Sequence, residues 1–396
     1  MRLLTVLGAV LALLAAGCTA HDPAPDPAPD TEATRPGAGT LLTARPLTGA
    51  AALPGAASTR AISYVSEAPD GSSSVVTGTV SVPRGEPPTE GWPVVSWAHG
   101  TTGYATVCAP SLDFDGGPAH GYLKVVQPSL DHWVTAGYAV VQTDYQGLGG
   151  PGPAPYINGA SEAANVVDIV RAARHLDESL GTTWAAIGHS QGGQAALFTA
   201  ARAAERAPEL DLKAAVAIAP GSGFAGFAEA ADSADPAMAE LQPFLPLVVL
   251  GAAAADPGIV PEDLVGEQFR PFLDAARTRC LDQLRELDPI PAGQVLAPDA
   301  QTDRLSDYLS RQEPATVRPR VPVLVVQGLA DTTVPPALTD ALVDSYCSDG
   351  ITVDYRSYSG ADHRRSIAAS LPDTESFVAA MMHDETPPDS CAEGPR

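Results

Sequence analysis

Basic residues are scarce in this chain. Its 396 residues include 23 Lys and Arg against 47 Asp and Glu, a formal net charge of -24 at pH 7. Such a charge repels polyanions, so the balance argues against nucleic-acid binding. The hydrophobic fraction of 45% and the charged fraction of 18% exclude a disordered polymer and an all-apolar membrane bundle. We expect a sizeable globular core.

Residue spacings typical of metal and nucleotide sites are also missing. The sequence has no Cys-x-x-Cys pair and its 8 His residues are scattered, so we expect no zinc site. The run Gly147-Leu-Gly-Gly-Pro-Gly152 matches a dinucleotide fingerprint in spacing alone. A nucleotide site would need a helix to begin there, and Pro151, Pro153 and Pro155 prevent one. We therefore predict a loop at this position.

The first apolar run is too short to cross a membrane. Leu3 to Ala16 falls below the ~20 residues that a membrane-spanning helix needs, which favours a signal peptide over residues 1–17. The following Leu14-Ala-Ala-Gly-Cys18 resembles the lipobox of bacterial lipoproteins, so lipidation of Cys18 is predicted. An ordinary secretory signal cleaved near Ala20 is the alternative.

Residues 18–40 are rich in Pro and Asp. This composition favours an extended, solvated tether that cannot bury a core. Together with the preceding segment, it predicts an exported protein that is either a cell-surface lipoprotein or released.

The cysteines other than Cys18 form an even set. They are Cys108, Cys280, Cys347 and Cys391. An even number in an exported chain predicts two disulfides. The residues themselves leave all three pairings open, and buried free thiols are the alternative.

Apolar strand-like runs alternate with helical stretches. The predicted strands are Ile62–Val65, Val75–Val82, Val94–Trp97, Tyr138–Thr143, Trp184–Ile187, Ala214–Ala219, Val323–Val326 and Ile351–Tyr358. The predicted helices are Ser161–Leu180, Gln191–Arg206, Pro335–Tyr346 and Arg365–Met382. This alternation predicts an α/β fold with a mostly parallel sheet flanked by helices. The core is predicted over residues 41–220 and 320–396, with a helical cap insertion at 221–319.

A candidate nucleophile follows one of the buried strands. After Trp184–Ile187 comes Gly188-His-Ser190-Gln-Gly192, and then a helix-forming run. This G-x-S-x-G motif in a strand–turn–helix context is typical of a nucleophile elbow, in which the small flanking residues let helix and strand approach. We predict that Ser190 is a nucleophile.

A serine nucleophile needs a base, and the base needs an acid that orients it. Asp331 follows the strand Val323–Val326, and His363 lies in a later loop before a helix. The chain order Ser190, Asp331, His363 is that of α/β hydrolases. Asp362 is the rival acid, but a neighbour of His363 cannot easily fold back onto its Nδ1. Asp354 is predicted inside a strand.

Two backbone N–H groups are candidates for an oxyanion hole. One belongs to Gln191, directly after the nucleophile, and the other to Thr101, in the turn after Val94–Trp97. His99 and His189 lie beside these groups. We interpret both as structural residues rather than as bases.

These motifs as an ordered set resemble the secretory lipase family of fungi and actinobacteria. The resemblance covers about residues 45 to 391 and rests on the G-H-S-Q-G motif, Asp331, His363, Ser96–Gly103, Cys108–Ser111, Asp144–Gly149 and the long insertion. It implies an α/β-hydrolase fold with a cap over an acyl-binding pocket and activity on carboxylic esters, including triacylglycerols. It also implies no cofactor and the pairs Cys108–Cys280 and Cys347–Cys391.

We therefore predict a serine ester hydrolase, a lipase or carboxylesterase, that acts on an ester or lipid substrate. The alternatives are an acyltransferase or peptidase on the same fold and a non-catalytic surface lipoprotein. Within the insertion, Phe244–Leu245, Leu247–Leu250 and Phe269–Phe272 are expected either to line an acyl tunnel or to pack the cap onto the sheet domain. The oligomeric state is left open.

Overall fold

The structure is a computed structural model that describes residues 37–233 and 235–393. The predicted signal peptide, Cys18 and residues 19–36 of the predicted tether lie outside these residues. Within the described ranges, no helix has both the length and the apolar character that a membrane crossing requires.

The described core is built on one nine-stranded sheet. The strands are β1 (Leu41–Pro46), β2 (Ser58–Glu67), β3 (Ser73–Val82), β4 (Trp92–Ala98), β5 (Ala139–Thr143), β6 (Leu180–His189), β7 (Asp211–Ile218), β8 (Val323–Gly328) and β9 (Val353–Tyr358). Their order across the sheet is β1-β2-β3-β5-β4-β6-β7-β8-β9. The first three strands and β5 pair antiparallel, and all later pairs are parallel. The carboxyl ends of β4, β6, β8 and β9 therefore meet at one edge.

Eleven α-helices accompany the sheet in the described residues. They are α1 (His120–Thr135), α2 (Gly159–Leu176), α3 (Gln191–Arg206), α4 (Phe227–Ala231), α5 (Leu245–Ala255), α6 (Pro261–Leu264), α7 (Arg270–Ala276), α8 (Leu281–Leu284), α9 (Asp303–Ser310), α10 (Pro336–Ser348) and α11 (Arg365–Met382).

Both faces of the sheet are covered by helices. Successive side chains of β4 alternate between two apolar clusters, because a strand points its residues to opposite sides. Val95 and Trp97 lie in the cluster that includes α1 and α11, whereas Val94 and Ala98 lie with α2 and α3. Burial on both faces explains why these strands read as continuous apolar runs.

All eight predicted strands coincide with strands of the sheet, and the predicted helices coincide with α2, α3, α10 and α11. Several boundaries differ: β2 and β6 each begin four residues before the predicted strands, and the helix predicted to run to Leu180 ends at Leu176. Asp177 adopts an extended backbone there (φ -144°, ψ 110°), and Leu180 already begins β6. The loop at 147–152 contains no helix, as predicted.

The chain between β7 and β8 is helical. It contains α4 to α9, and its described part includes no strand of the sheet. We call residues 221–319 the helical segment. Its apolar side chains form a cluster of their own, which also takes in Tyr156 and Ile157 from the loop before α2.

Two disulfides tie distant parts of the described chain together. Cys108 is bonded to Cys280, which joins the loop after β4 to the helical segment. Cys347, in α10, is bonded to Cys391 near the C-terminus. These are the pairs that the family resemblance implied.

Candidate active site

Ser190 stands at a strained turn between β6 and α3. Its backbone has φ 58° and ψ -119°, in a region that residues with a side chain rarely adopt. The turn is held by its neighbours, because the Ser190 N–H donates to Ile218 O (2.9 Å) and the N–H groups of Gly193 and Gly221 donate to Ser190 O. The G-x-S-x-G motif, which predicts a tight strand-to-helix turn, therefore coincides with such a turn at Ser190.

The glycines of the motif are required by space. A Cβ on Gly188 would lie 1.9 Å from the carbonyl oxygen of Gly192, and a Cβ on Gly192 would lie 1.8 Å from that of Ala98. Strands β4 and β6 and the first turn of α3 are therefore in backbone contact. This close approach keeps Ser190 at the carboxyl edge of the sheet.

Asp331 and His363 lie together at the same edge. His363 Nδ1 is 2.7 Å from Asp331 Oδ2. The other carboxylate oxygen, Oδ1, accepts the backbone N–H groups of Thr333 and Val334, each at 2.9 Å. The Asp331 carboxylate is buried, and these bonds fix its plane, so it holds the imidazole in one tautomer with Nδ1 protonated.

The tautomer leaves His363 Nε2 as a proton acceptor. The described residues show no hydrogen bond between the Ser190 hydroxyl and His363 Nε2. The imidazole is hydrogen-bonded to Asp331 instead. Hydrogen bonds between nucleophile and base are often long in unliganded sites and shorten when substrate binds. Ser190 does share a cavity with Thr333 and Val334, the residues that bond the Asp331 carboxylate.

The two rival acids are engaged elsewhere. Asp362 Oδ1 accepts the N–H of Arg365 (2.8 Å) at the start of α11. Asp354, inside β9 as predicted, forms an ion pair with Arg356 at 2.7 Å. Asp331 is thus the carboxylate that contacts His363.

The candidate oxyanion donors lie beside Ser190. Thr101 and Gln191 line the same cavity as Ser190, and Gln191 is the first residue of α3, where helix N–H groups and the helix dipole favour negative charge. Both side chains are hydrogen-bonded to buried residues. Thr101 Oγ1 hydrogen-bonds to the Tyr156 hydroxyl (2.7 Å), and Gln191 Nε2 donates to Glu162 Oε1 (2.7 Å).

Sequence reasoning missed Tyr156 and Glu162. Both belong to the loop before α2 or its first turn, which no motif marks. Glu162 is 2% exposed, and its Oε2 has no hydrogen-bond partner in the described residues. Burial raises the pKa of Glu162 to about 8.

His99 and His189 are both buried and neutral. Burial lowers the pKa of His99 to about 4, and burial together with nearby His363 lowers the pKa of His189 well below its usual value. Both nitrogens of His189 are hydrogen-bonded, to the Tyr122 hydroxyl and to the backbone oxygen of His363, so this ring has no nitrogen free to act as a base. The nitrogens of His99 face the backbone oxygens of Gly100 (2.7 Å) and Asp144 (3.3 Å), and a neutral ring can donate to only one of them. His189, however, touches the backbone of His363, which the sequence did not indicate.

Two cavities adjoin at the site. The cavity at Ser190 has a volume of about 60 Å³ and is lined by apolar side chains that include Phe224, Phe244 and Val248. A second cavity of about 410 Å³ shares Leu241 and Thr333 with it and is also lined by Arg285. Elsewhere in the helical segment, residues such as Leu245, Leu247 and Phe269 pack in its core.

No cluster of three or more His, Cys, Asp or Glu residues suited to a metal ion occurs in residues 37–233 and 235–393.

The mostly parallel sheet, the flanking helices and the strained strand-to-helix turn at Ser190 define the fold as that of an α/β hydrolase. A profile of the secretory lipase family matches residues 126–389, which is more than half of the chain. The chain therefore belongs to the secretory lipase family, and the family expectation drawn from the sequence is confirmed.

Several proteins that are similar to this chain are named as lipases or esterases. The chain is 28% identical over 315 residues to a probable inactive lipase of Mycobacterium tuberculosis, a match that covers 75% of this chain and 67% of that one. Candida antarctica lipase A superposes with a TM-score of 0.74 at 19% identity, covering 90% of this chain and 84% of that one. A rice cell wall degrading esterase of Xanthomonas oryzae gives 0.67 at 21% identity, covering 88% and 98%.

Proposed function

We propose that this protein is a serine ester hydrolase, a lipase or carboxylesterase, with Ser190 as nucleophile, His363 as general base and Asp331 as the acid that orients it. The observation that carries this proposal is the 2.7 Å bond between His363 Nδ1 and Asp331 Oδ2 at the sheet edge that also bears the Ser190 elbow. A hydroxyl is a weak nucleophile unless such a base removes its proton.

The chemistry follows from these positions. Ser190 Oγ attacks the ester carbonyl carbon while its proton passes to His363 Nε2, and the carbonyl oxygen becomes an oxyanion. The bond to the alcohol oxygen then breaks, and that oxygen takes the proton from Nε2. Water attacks the resulting acyl-enzyme with His363 as base, and the returning proton restores the Ser190 hydroxyl as the carboxylic acid leaves.

The oxyanion is assigned to the backbone N–H groups of Gln191 and Thr101. Developing negative charge at the first turn of α3 is stabilised by donors that are already oriented. The hydrogen bonds of Thr101 to Tyr156 and of Gln191 to Glu162 support this assignment, because they restrict both residues before substrate arrives.

The acyl chain is proposed to enter the apolar cavity at Ser190 and to extend toward the adjoining cavity of about 410 Å³, with the helical segment acting as a cap. The cavity at Ser190 has the mostly apolar lining of a ligand site, and the adjoining cavity combines apolar residues with polar ones such as Glu240, Gln242 and Arg285. Phe244 and Val248 line the cavity at Ser190 and would contact the acyl chain of the substrate. Leu245, Leu247 and Phe269 pack in the core of the helical segment.

One comparison points the other way. The Mycobacterium tuberculosis relative is described as a probable inactive lipase. This chain has Ser190, Asp331 and His363, and its proposed acid and base are hydrogen-bonded. An acyltransferase or peptidase on the same fold would use the same three residues.

The test is hydrolysis of p-nitrophenyl esters from acetate to palmitate by the wild-type protein and by Ser190→Ala. We expect turnover by the wild type and a loss of about 10⁶-fold in kcat for Ser190→Ala. Ser310→Ala, which removes a hydroxyl from the exposed end of α9, is the matched control and should behave as wild type. Absence of turnover and of fluorophosphonate labelling at Ser190 in the wild type would favour a non-catalytic protein.

We further propose that the protein is exported and held at a membrane through lipidated Cys18. The family is secretory, and two disulfides are typical of proteins outside the reducing cytosol. With a net charge of -24, the acyl chains rather than basic residues would supply the anchoring. Cys18→Ser should move the protein from the membrane fraction to the medium, and wild-type protein found entirely in the medium would contradict this proposal.

A further inference from the structure

A chain of three hydrogen bonds runs behind the site from the loop after β4 to the loop that carries His363. The N–H of Gly100 donates to the Tyr122 hydroxyl oxygen at 2.7 Å. That hydroxyl lies 3.1 Å from His189 Nδ1. His189 Nε2 in turn lies 2.9 Å from the backbone oxygen of His363.

The direction of each bond is fixed by the groups at its ends. The carbonyl of His363 can only accept, so His189 Nε2 carries the hydrogen. In a neutral His189, Nδ1 is then unprotonated and accepts a hydrogen bond from the Tyr122 hydroxyl. The lone pairs of Tyr122 remain to accept the N–H of Gly100. All three hydrogen bonds therefore run in the same direction, from the N–H of Gly100 through Tyr122 and His189 to the carbonyl oxygen of His363.

Burial keeps this arrangement in one protonation state. His189 is 1% exposed and Tyr122 is 4% exposed. Burial, the neighbouring His363 and Arg364 lower the pKa of His189 well below its usual value, and burial raises the pKa of Tyr122. A protonated His189 would lose the acceptor that Tyr122 needs, and it would also add a positive charge close to the guanidinium of Arg364.

The two ends of this hydrogen-bonded chain adjoin two groups that ester hydrolysis requires. Gly100 directly precedes Thr101, the assigned second oxyanion donor, and the carbonyl of His363 belongs to the assigned base. The ring of His189 also packs against the ring of His363, with centroids 4.5 Å apart. His189 is the last residue of β6 and adjoins the nucleophile in sequence.

We propose that Tyr122 and His189 are positioning residues of this hydrolase, which fix the base His363 and the oxyanion loop at Gly100 relative to one another. The inference rests on the proposed function, since it assigns to the reaction what is otherwise a buried polar network. A displacement of reacting groups by about 1 Å can cost about 10²-fold in rate.

The main variant is Tyr122→Phe, which removes one oxygen and keeps the ring. The matched control is Tyr64→Phe, because the Tyr64 hydroxyl is also buried and also bonds two groups, Thr143 Oγ1 (2.7 Å) and Asn165 O (3.0 Å). In the described residues, neither of these partners hydrogen-bonds to Ser190, Asp331 or His363. The free energy of unfolding, measured by urea titration, should fall by a similar amount in both variants. Only Tyr122→Phe should lower kcat, by about 10- to 100-fold with KM little changed.

A second pair of variants tests His189 itself. The side-chain amide of Gln can donate from near the position of Nε2, so His189→Gln should retain more activity than His189→Ala. Equal kcat values in these two, at equal folded fractions by circular dichroism, would contradict a positioning role for the His189–His363 bond.

A readout that does not need turnover separates this inference from the proposed function. The proton on His363 Nδ1, bonded to Asp331, is observable by NMR in histidine-labelled protein. Tyr122→Phe should shift or broaden this signal, and Tyr64→Phe should leave it in place. If the wild type hydrolyses no ester, the proposed function fails, and the NMR comparison still decides the inference. An unchanged signal together with an unchanged kcat in Tyr122→Phe would overturn it.

Discussion

At the scale of single residues, the buried carboxylate of Asp331 carries the clearest consequence. Its Oδ2 faces His363 Nδ1, and its Oδ1 accepts two backbone N–H groups, so its orientation is fixed independently of His363. An Asn amide in this position could present its NH₂ to the imidazole, which would favour the tautomer with the proton on Nε2. That tautomer cannot accept the proton of Ser190.

We predict that Asp331→Asn folds normally but lowers kcat by about 10⁴-fold, the effect expected when the base is held in the wrong tautomer. The measurement is hydrolysis of a short p-nitrophenyl ester, with a urea unfolding curve to verify the fold. Asp362→Asn is the control, since the Asp362 side chain accepts the N–H of Arg365 and does not bond the imidazole of His363, and this variant should retain activity. A large loss in Asp362→Asn with little effect in Asp331→Asn would reverse the assignment of the acid.

Glu162 shows how the site affects stability. Its carboxyl is buried beside Gln191, and burial raises its pKa to about 8 from an ordinary value near 4.5. The folded protein therefore keeps a proton on Glu162 that the unfolded chain releases. Because the unfolded state binds fewer protons between pH 4.5 and 8, the free energy of unfolding falls as pH rises through this range.

Replacing Glu162 by Gln should remove this pH dependence. The amide of the variant retains an oxygen that can accept from Ile157 and Gln191, as Glu162 Oε1 does now. We expect Glu162→Gln to reduce the loss of unfolding free energy between pH 5 and pH 8 by a few kcal/mol, measured by urea titrations at both values. Glu178→Gln, at an exposed glutamate just after α2, is the control and should follow the wild type.

The residues that the sequence could predict are those with a motif or a chain order of their own. Ser190 has the elbow pattern, and Asp331 and His363 follow strands in the order typical of the fold. Tyr156 and Glu162 have no such signal. Their contacts with Thr101 and Gln191 depend on how the loop before α2 packs, which is a long-range property.

At the scale of elements, the site depends on the backbone contact among β4, β6 and α3. Gly192 lies where the first turn of α3 crosses the end of β4, and a Cβ there would meet the Ala98 carbonyl oxygen at 1.8 Å. No rotamer change can relieve this contact, because both atoms belong to the backbone or are fixed by it. The helix would have to move away from the sheet.

We predict that Gly192→Ala destabilises the protein by about 1 to 3 kcal/mol or more and lowers kcat, because the elbow must shift. Gly226→Ala is the matched control. Gly226 has φ -103°, and nothing lies within 4 Å of a Cβ built on it, so this variant should resemble the wild type. Urea unfolding and ester hydrolysis measure the two effects. Wild-type behaviour of Gly192→Ala would show that α3 is not fixed by this contact.

Elements were predictable where burial imposes a pattern. The central strands are buried on both faces and read as apolar runs, whereas β1 has five exposed residues of six and ends in Pro46, so it gives no pattern. Helix α1 was missed for another reason. Pro128 lies inside it, and proline normally argues against a helix interior, although the apolar face of α1 packs against the sheet.

At the scale of the whole molecule, the helical segment is joined to the sheet close to the site. The Cys108–Cys280 bond links it to the loop after β4, and Leu281 N donates to Thr102 O at 2.8 Å, directly after Thr101. Movement of the helical segment at this point would therefore disturb the assigned oxyanion loop. The Cys347–Cys391 bond lies at the β9 end of the sheet order, in the apolar cluster that includes residues of β8 and β9.

Loss of the two disulfides should consequently have different effects on stability and on activity. Cys108 and Cys280 are 172 residues apart, and Cys347 and Cys391 are 44 apart. The chain-entropy relation assigns about 5 kcal/mol to the longer loop and about 4 kcal/mol to the shorter one. The double variants Cys108→Ser/Cys280→Ser and Cys347→Ser/Cys391→Ser are compared by urea unfolding and by kcat. We expect both to be destabilised, the first slightly more, and only the first to lose activity among molecules that remain folded. Equal retention of kcat in both folded variants would show that the oxyanion loop keeps its position without the covalent link to the helical segment.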